Sequence, residues 1–223
     1  MQDTTPMQVS QIEDLTQSVL SHQQGKRQLV AIFGAPGSGK STLVERLCAS
    51  LNAKSADSCA IVPMDGFHLD DAILRERGLL PRKGAPETFD IEGFIHLHRR
   101  LSDNIDESIA VPLFDRDMEL SRAAARFIPQ SVQIVLIEGN YLLLQQPGWA
   151  DLAQFYELTI QLDVPIDELE RRLMERWDDQ GLSPQEAHAK VHGNDMLNAK
   201  LILSQSQAPD VLFAAHDSPA NPQ

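Results

Sequence analysis

The sequence predicts an α/β protein with a parallel sheet covered by helices on both faces, a three-layer arrangement. Short apolar runs alternate along the chain with stretches of helical periodicity. Apolar runs without regular polar positions are typical of strands buried on both faces, as they are in parallel sheets. A hydrophobic content of 42% over 223 residues is sufficient for such a core. No repeat or low-complexity linker interrupts the pattern, so we expect one domain over residues 1–223.

Each predicted element follows from a local signal. Apolar residues at helical spacing predict an N-terminal helix within residues 1–26. Short apolar runs that end at turn residues predict strands at residues 28–34, 58–64, 109–115, 132–139, 158–164 and 210–215. Helical periodicity predicts helices at residues 41–51, 91–101, 165–177, 183–193 and 195–204. Residues 66–90 are rich in glycine, proline and charge and predict a long functional loop, with a short helix within it as an option. The tail 216–223 is expected to fray.

Composition and charge exclude several classes of protein. A net charge of −13 and a pI near 4.8 argue against broad binding of nucleic acids or anionic membranes. The two cysteines, Cys48 and Cys59, form no CxxC pattern, which disfavours a disulfide scaffold or a structural zinc site. Neither a signal peptide nor an apolar run near ~20 residues is apparent, so we expect a cytoplasmic protein. A homodimer is compatible with the sequence.

A phosphate-binding motif follows the first strongly apolar strand. The segment "GAPGSGKST" fits G-x-x-x-x-G-K-[ST], with a strand before it and a helix after it. Its glycines let successive N–H groups point at phosphate oxygens, and the helix adds the positive end of its dipole. We expect its lysine to reach the β- and γ-phosphates of ATP and its serine to hold Mg²⁺. The nine residues of this P-loop are Gly34, Ala35, Pro36, Gly37, Ser38, Gly39, Lys40, Ser41 and Thr42.

Missing motifs narrow the class of P-loop protein. The chain has neither an N-K-x-D guanine-specificity motif nor an "LSGGQ" signature. A dinucleotide fingerprint that begins at Gly37 would need glycine at position 42, where Thr42 stands. Two classes remain: a kinase of a small molecule, or an ATPase of unknown output. The sequence therefore predicts an ATP-binding protein within the P-loop NTPase group.

Two carboxylates stand at the ends of predicted strands, where ligands of parallel sheets bind. Asp65 ends the run "CAIVPM" and could accept the proton of an attacking hydroxyl, bind Mg²⁺ through water, or cap the turn. Glu138 ends "VQIVLI" and occupies the place of an acid that orients Mg²⁺, with a turn cap as the alternative. His68 and Tyr141, which follow these carboxylates closely, are candidates for contact with the acceptor, although Tyr141 also suits the core.

A lid is predicted over about residues 166–182. Arg172 and Arg176 lie four residues apart and so share one helix face. Arginines on a lid can neutralise charge that develops on a transferring phosphoryl group and exclude water. The alternative is a solvated face in which these arginines pair with Glu168 and Glu175.

An ordered set of motifs resembles one known family. "GAPGSGKS", "MDGFH", "RKGAPETFD", "PLFDR" and "VLIEGNYLLL" occur in the order seen in the P-loop kinases of the uridine kinase, phosphoribulokinase and pantothenate kinase superfamily. "DGFHLDD" with "EGNYLLL" looks most similar to bacterial sugar kinases described as fructose transport system kinases. The resemblance spans roughly residues 28–212.

The resemblance implies an ATP-dependent kinase of an alcohol, with about five parallel strands and a small helical lid. It implies Asp65 as the catalytic base and Glu138 at the metal. It further implies that a loop carrying Arg82, Lys83 and Asp90 encloses the acceptor. These residues are joined near the acceptor by Arg116.

The acceptor itself is expected to be a sugar, with pantothenate or a nucleoside such as uridine as alternatives. The chain is shorter than the pantothenate kinases and lacks a full copy of the aromatic and histidine set of nucleoside kinases. A regulatory NTPase without a small acceptor is the alternative from another class. Asn194, Asp195 and Asn198 have similar counterparts in the sugar-kinase-like relatives, and helix capping or packing is their expected role.

Overall fold

The computed structural model describes residues 5–214 and contains a parallel sheet flanked by helices on both faces. Its strands are β1 (Met7–Val9), β2 (Gln28–Phe33), β3 (Cys59–Pro63), β4 (Ser108–Asp115), β5 (Leu120–Pro129), β6 (Ile134–Gly139), β7 (Leu158–Asp163) and β8 (Val211–Ala214). Its α-helices are α1 (Ile12–Ser21), α2 (Lys40–Lys54), α3 (Asp71–Glu76), α4 (Ile91–Asp103), α5 (Ile166–Asp179), α6 (Pro184–Lys190) and α7 (Met196–Gln205). The predicted α/β class is confirmed. The predicted tail, residues 216–223, lies outside the described residues.

The parallel sheet has six strands in the order β1-β8-β7-β2-β6-β3, one more than the predicted five. The extra strand comes from the N-terminal segment, which was predicted as helix over residues 1–26. The helix α1 occupies only Ile12–Ser21, and Met7 pairs in parallel with Val211 at the sheet edge. Because β8 would otherwise present unpaired backbone groups, pairing overrides the weak helical periodicity of this segment.

A two-stranded antiparallel hairpin, β4–β5, stands apart from the main sheet. The prediction placed a strand at residues 109–115 but missed its partner, β5. Most residues of β5 are exposed, so the strand has no apolar run to reveal it. The hairpin register shifts between Val111 and Leu113, on either side of Pro112. A proline lacks the N–H that a regular ladder requires, which accounts for an irregularity there.

The sheet divides the core into two layers by strict alternation along its central strand. In β2, Leu29, Ala31 and Phe33 pack with α4 and the segment after β6, whereas Val30 and Ile32 pack against α1 and α2. All five side chains are fully buried. Since successive side chains of a strand point to opposite faces, a fully apolar strand is the expected sequence at the centre of such a sheet.

One of the two histidines in the segment "HLHRR" lies in the core. His96 is exposed, but His98 is fully buried on the inner face of α4. Its Nδ1 atom donates to the Phe94 carbonyl oxygen at 2.8 Å, and its Nε2 atom accepts from the Tyr156 hydroxyl at 2.9 Å. Burial lowers the pKa of His98 to about 4, so the ring is neutral at physiological pH.

Two glycines allow the chain to approach itself closely at the carboxyl edge of the sheet. A Cβ atom on Gly66 would lie 2.5 Å from the Pro112 carbonyl oxygen. A Cβ atom on Gly139 would lie 2.6 Å from the Met64 Cβ atom. The glycines after Asp65 and Glu138 are therefore required by space. The hairpin and the turn Met64–Phe67 could not otherwise pack beside the two carboxylates.

We predict that Gly66→Ala destabilises the protein by about 1–3 kcal/mol, because the added methyl group meets backbone atoms that cannot rotate away. The expected fall in melting temperature is about 2–4 °C per kcal/mol, measured by circular dichroism. Gly193→Ala is the matched control, since no atom lies within 4 Å of its added Cβ. Equal melting temperatures for the Gly66→Ala and Gly193→Ala variants would contradict the steric account.

Candidate active site

A cleft of about 790 Å³ opens at the carboxyl ends of β2, β3 and β6. Its volume lies in the range of small-molecule sites. Most of the residues that the sequence analysis selected meet at this cleft. Those that line it are Pro36, Gly37, Gly39, Lys40, Ser41, Thr42, Asp65, His68, Lys83, Arg116, Glu138 and Arg176.

The P-loop forms one wall of the cleft. Gly37 and Gly39 adopt φ angles of 80° and 90°, which other residues rarely adopt, and the loop leads directly into α2. Lys40, only 7% exposed, donates from Nζ to the Ala35 carbonyl oxygen at 3.0 Å. Ala35 and Ser38 are buried beneath the loop, and Gly34 fits against the Leu162 carbonyl oxygen, so these three do not face the cleft.

Burial lowers the pKa of Lys40, and the negative charges of Glu138 and Asp65 oppose this shift. The P-loop ammonium group thus shares the cleft with both strand-end carboxylates. The buried positive charge of Lys40 is compensated only while these negative carboxylates remain close to it. The same ammonium group is the expected partner of nucleotide phosphates.

Glu138 lies near the carboxyl end of β6, which runs between β2 and β3. It pairs in register with Ile32 of β2 and Pro63 of β3, so both sides of its backbone are covered. Burial raises the pKa of Glu138 to about 7, and Lys40 and the Ser41 hydroxyl act in the opposite direction. The carboxyl group is therefore close to its titration point at neutral pH, and a nearby cation would favour its charged form.

Asp65 lies in the single 3₁₀ turn that directly follows β3. Its side chain is 32% exposed, and its Oδ2 atom accepts from Arg116 Nη2 at 3.2 Å. Arg116 directly follows β4, so the hairpin places its guanidinium group beside the Asp65 carboxylate. Asp65 also lines the cleft that contains the P-loop lysine, so its carboxylate and the Lys40 ammonium group share one cavity.

An aromatic wall continues the cleft away from the P-loop. The His68 ring lies 4.1 Å from the Phe89 ring and 4.8 Å from the Phe114 ring, centroid to centroid. Its Nδ1 atom donates to the Asp65 carbonyl oxygen at 2.8 Å. Burial is the main cause of the lowered pKa of His68, which favours the neutral form of the ring in this wall.

The two basic side chains of the loop after α3, Arg82 and Lys83, each have partners within the protein. Lys83 Nζ lies 2.8 Å from Asp71 Oδ1 and 3.1 Å from Glu119 Oε2. Lys83 lines the cleft, whereas Arg82 does not. Arg82 donates instead to the side chains of Asn194 and Asn198, which themselves line the cleft.

Besides Arg82 and the three P-loop residues named above, three more of the selected residues do not face the cleft. Asp90 is the N-cap of α4 and accepts from the Gly93 N–H at 2.9 Å, since an aspartate at a helix start satisfies a free donor. Tyr141 is fully buried and donates to the Gly84 carbonyl oxygen at 2.6 Å, so it supports the loop from within the core. Arg172 donates from Nε to Glu168 at 2.6 Å along its own helix, as the surface-pairing alternative expected.

Several cleft residues were not selected from the sequence as parts of a site. Among them are Glu119, Asn140, Trp177 and Lys190. Asn140 follows the Glu138–Gly139 pair directly, and that adjacency was a usable signal. Trp177 follows Arg176 on α5, but only the fold shows that both reach the cleft. Glu119 arrives through the hairpin, which no local pattern predicted.

Comparison with known proteins identifies relatives of this sequence and of this fold. The family model of the methylmalonyl-CoA mutase-associated GTPase MeaB matches residues 2–69, the segment that contains the P-loop. A solved structure from Silicibacter sp. TM1040, described as a "putative fructose transport system kinase", is 46% identical with a TM-score of 0.87. The alignment covers 92% of this chain and 100% of that one.

Two curated relatives extend the comparison. The "Putative uridine kinase C227.14" of Schizosaccharomyces pombe is 31% identical over 202 residues, which cover 87% of this chain and 85% of the relative. The Escherichia coli protein YggC, described as uncharacterized, is 32% identical over 189 residues, with 84% and 77% of the two chains covered. The chain therefore belongs to the P-loop kinases of the uridine kinase, pantothenate kinase and phosphoribulokinase superfamily, and it is an ATP-dependent phosphotransferase.

Proposed function

We propose that this kinase transfers the γ-phosphate of ATP to an alcohol group of a sugar such as fructose. The observation that carries the proposal is the position of Asp65, a half-buried carboxylate at the end of β3 in the same cleft as Lys40. A carboxylate there suits the acceptance of a proton from an attacking hydroxyl. The similarity to a structure described as a fructose transport system kinase supports the choice of sugar.

The roles of the other side chains follow from their positions. The P-loop N–H groups and Lys40 bind and orient the phosphates. Asp65 accepts the proton of the acceptor hydroxyl as that oxygen approaches phosphorus. Arg176, exposed on α5 and lining the cleft, approaches the phosphoryl group and offsets its charge. Residues 166–182 then act as a lid, in which Arg172 orders the helix through Glu168.

The residues present fit a magnesium ion. Mg²⁺ prefers oxygen ligands and usually combines one or two protein groups with phosphates and waters. Ser41 and Glu138 offer a hydroxyl and a carboxylate in the same cleft. Within residues 5–214, no cluster of three or more His, Cys, Asp or Glu side chains forms an all-protein metal cage, which suits a cation shared with phosphates. When bound, Mg²⁺ would neutralise phosphate charge and favour the ionised form of Glu138.

The charges at the acceptor end favour a neutral acceptor. Lys83 is held by Asp71 and Glu119, and Arg116 is held by Asp65, so the positive charges there are already paired. A carboxylate-bearing acceptor such as pantothenate would have to displace these ion pairs. A sugar carries hydroxyl groups and no charge. It would exchange hydrogen bonds to water for hydrogen bonds to the cleft and leave these ion pairs intact.

A nucleoside is the second candidate acceptor. The rings of His68, Phe89 and Phe114 line the cleft beyond Asp65 and would accept the face of a base. The fission yeast relative described as a uridine kinase gives this alternative further support.

An acceptor screen distinguishes these functions. We expect fructose, among a panel of sugars, uridine, pantothenate and glycerate, to stimulate ADP release from MgATP most strongly, because the lining is polar and charge-balanced. The measurement is a coupled assay of ADP release. A response to uridine alone would replace the sugar by a nucleoside, and a flat panel with retained ATP binding would favour a regulatory NTPase.

We predict that Asp65→Asn lowers turnover by about 10²–10⁴-fold, because the amide cannot accept the hydroxyl proton. The Kd for ATP, measured by calorimetry, should stay within a few-fold of the wild-type value. Asp70→Asn is the matched control, since Asp70 is exposed and caps α3, a role that asparagine also fills. Wild-type turnover in Asp65→Asn would refute the role of a base.

Glu138 makes the stability of the metal-free protein depend on pH. Its folded-state pKa of about 7 lies above the ordinary value of 4.5, so the folded protein binds more protons between these pH values. The contribution of this group to the free energy of unfolding therefore falls as the pH rises from 5 to 8. With a chelator present, the melting temperature of Glu138→Gln minus that of wild type should increase as the pH rises from 5 to 8. Parallel curves for the two proteins would show that the carboxyl group is not perturbed.

A further inference from the structure

The segment "HGND" forms a π-helical turn, Val191–Asp195, between α6 and α7. Single π turns within helices occur frequently at functional sites, because the widened turn redirects side chains. Here Gly193, Asn194 and Asp195 line the cleft. Helix α6 starts with a complete capping box at Ser183 and would continue regularly into α7, so the irregular turn calls for a reason outside the helix.

Asn194 uses both ends of its amide group on the loop after α3. Its Oδ1 atom accepts from Arg82 Nη1 at 2.8 Å, and its Nδ2 atom donates to the Lys83 carbonyl oxygen at 2.8 Å. Arg82 Nη2 also reaches Asn198 Oδ1 at 3.3 Å, and Arg82 Nη1 reaches the Gly193 carbonyl oxygen at 3.3 Å. The Arg82 guanidinium group and the Lys83 backbone carbonyl, which belong to consecutive residues of the loop, are thus both hydrogen-bonded to the π turn and the start of α7.

Asp195, the next residue, contacts helix α5 instead of the loop. It accepts a hydrogen bond from Trp177 Nε1 at 2.7 Å. Trp177 follows Arg176 on α5, and its ring also carries Lys190 Nζ at 4.2 Å from the centroid. The contact fixes the C-terminal part of α5 at the point where Arg176 enters the cleft.

We propose that the π turn Val191–Asp195 couples the loop after α3, which carries Arg82 and Lys83, to helix α5, which carries Arg176. Asn194 and Asp195 are the positioning residues. Asn194 sets the place of Lys83 and its ion pairs, and therefore the acceptor end of the cleft. Asp195 sets the place of Trp177 and Arg176, and therefore the phosphate end. The effects on substrate rest on the proposed function, because the acceptor is taken to be a sugar.

The two positioning residues should affect different kinetic constants. Loss of the Asn194 amide frees the loop that encloses the acceptor, so the KM for the acceptor rises while the KM for ATP stays constant. Loss of the Asp195 carboxylate frees Arg176, whose contact is made with the transferring phosphoryl group, so kcat falls. A merely structural defect would lower the amount of active enzyme and leave both KM values unchanged.

The first experiment needs no substrate. Hydrogen exchange of the full chain is compared for wild type, Asn194→Ala and the control Ser204→Ala, whose hydroxyl bonds only within the exposed face of α7. Backbone amides such as Arg82 N, Lys83 N and Ala85 N are bonded within the loop. We expect their exchange to accelerate about tenfold or more in Asn194→Ala, with no change in α2 or in the control. Unchanged loop exchange would overturn the role of Asn194.

The second experiment uses MgATP with fructose. We expect Asn194→Ala to raise the KM for fructose about tenfold, the effect of a lost hydrogen bond to a charged group. For Asp195, alanine should lower kcat about tenfold, and asparagine should restore most of it because its amide oxygen still accepts from Trp177. Equal losses in both Asp195 variants would overturn its role. If wild type does not phosphorylate fructose, the proposed acceptor fails, and hydrogen exchange decides the inference. Asp195→Ala should then accelerate exchange of the Gln180 amide, which is bonded to the Arg176 carbonyl oxygen at the end of α5, and unchanged exchange there would overturn the role of Asp195.

Discussion

The site depends on one electrostatic arrangement: the buried ammonium group of Lys40 beside the carboxylates of Asp65 and Glu138. Burial destabilises each of the two most enclosed charges, as the lowered pKa of Lys40 and the raised pKa of Glu138 show. Neither charge would be tolerated alone at the edge of an apolar sheet. Parallel strands supply the solution, because their carboxyl ends bring residues distant in sequence to one edge. The glycines after each carboxylate then admit the chain segments that close the edge.

Around this charged centre the cleft is built from segments with different degrees of support. The P-loop and the strand ends are part of the sheet, whereas the hairpin, the loop after α3 and helix α5 reach the cleft from outside it. These outer segments carry Arg116, Lys83 and Arg176, and each is held by ion pairs or by the π turn. Kinases commonly exclude water by closing such segments over bound substrates, and the proposed lid would require the same of these outer segments.

The sequence was sufficient for the features that depend on local order. The P-loop, the two strand-end carboxylates and the alternation of strands and helices are encoded within short stretches, and the α/β class is confirmed. Features set by tertiary contact could not be predicted: the exposed strand β5 has no apolar pattern, and Met7–Val9 is a strand only because β8 offers an edge. Likewise, Asp90 caps a helix and Tyr141 supports Gly84, roles that depend on partners the sequence does not identify.

The proposed reaction requires Asp65 to face the hydroxyl group that attacks ATP. A crystal structure with a non-hydrolysable ATP analogue, Mg²⁺ and the acceptor that stimulates ADP release would show whether it does. We expect an acceptor hydroxyl oxygen within about 3.2 Å of an Asp65 carboxylate oxygen, in line with the γ-phosphorus. An acceptor hydroxyl bound elsewhere, with Asp65 still paired only to Arg116, would contradict it.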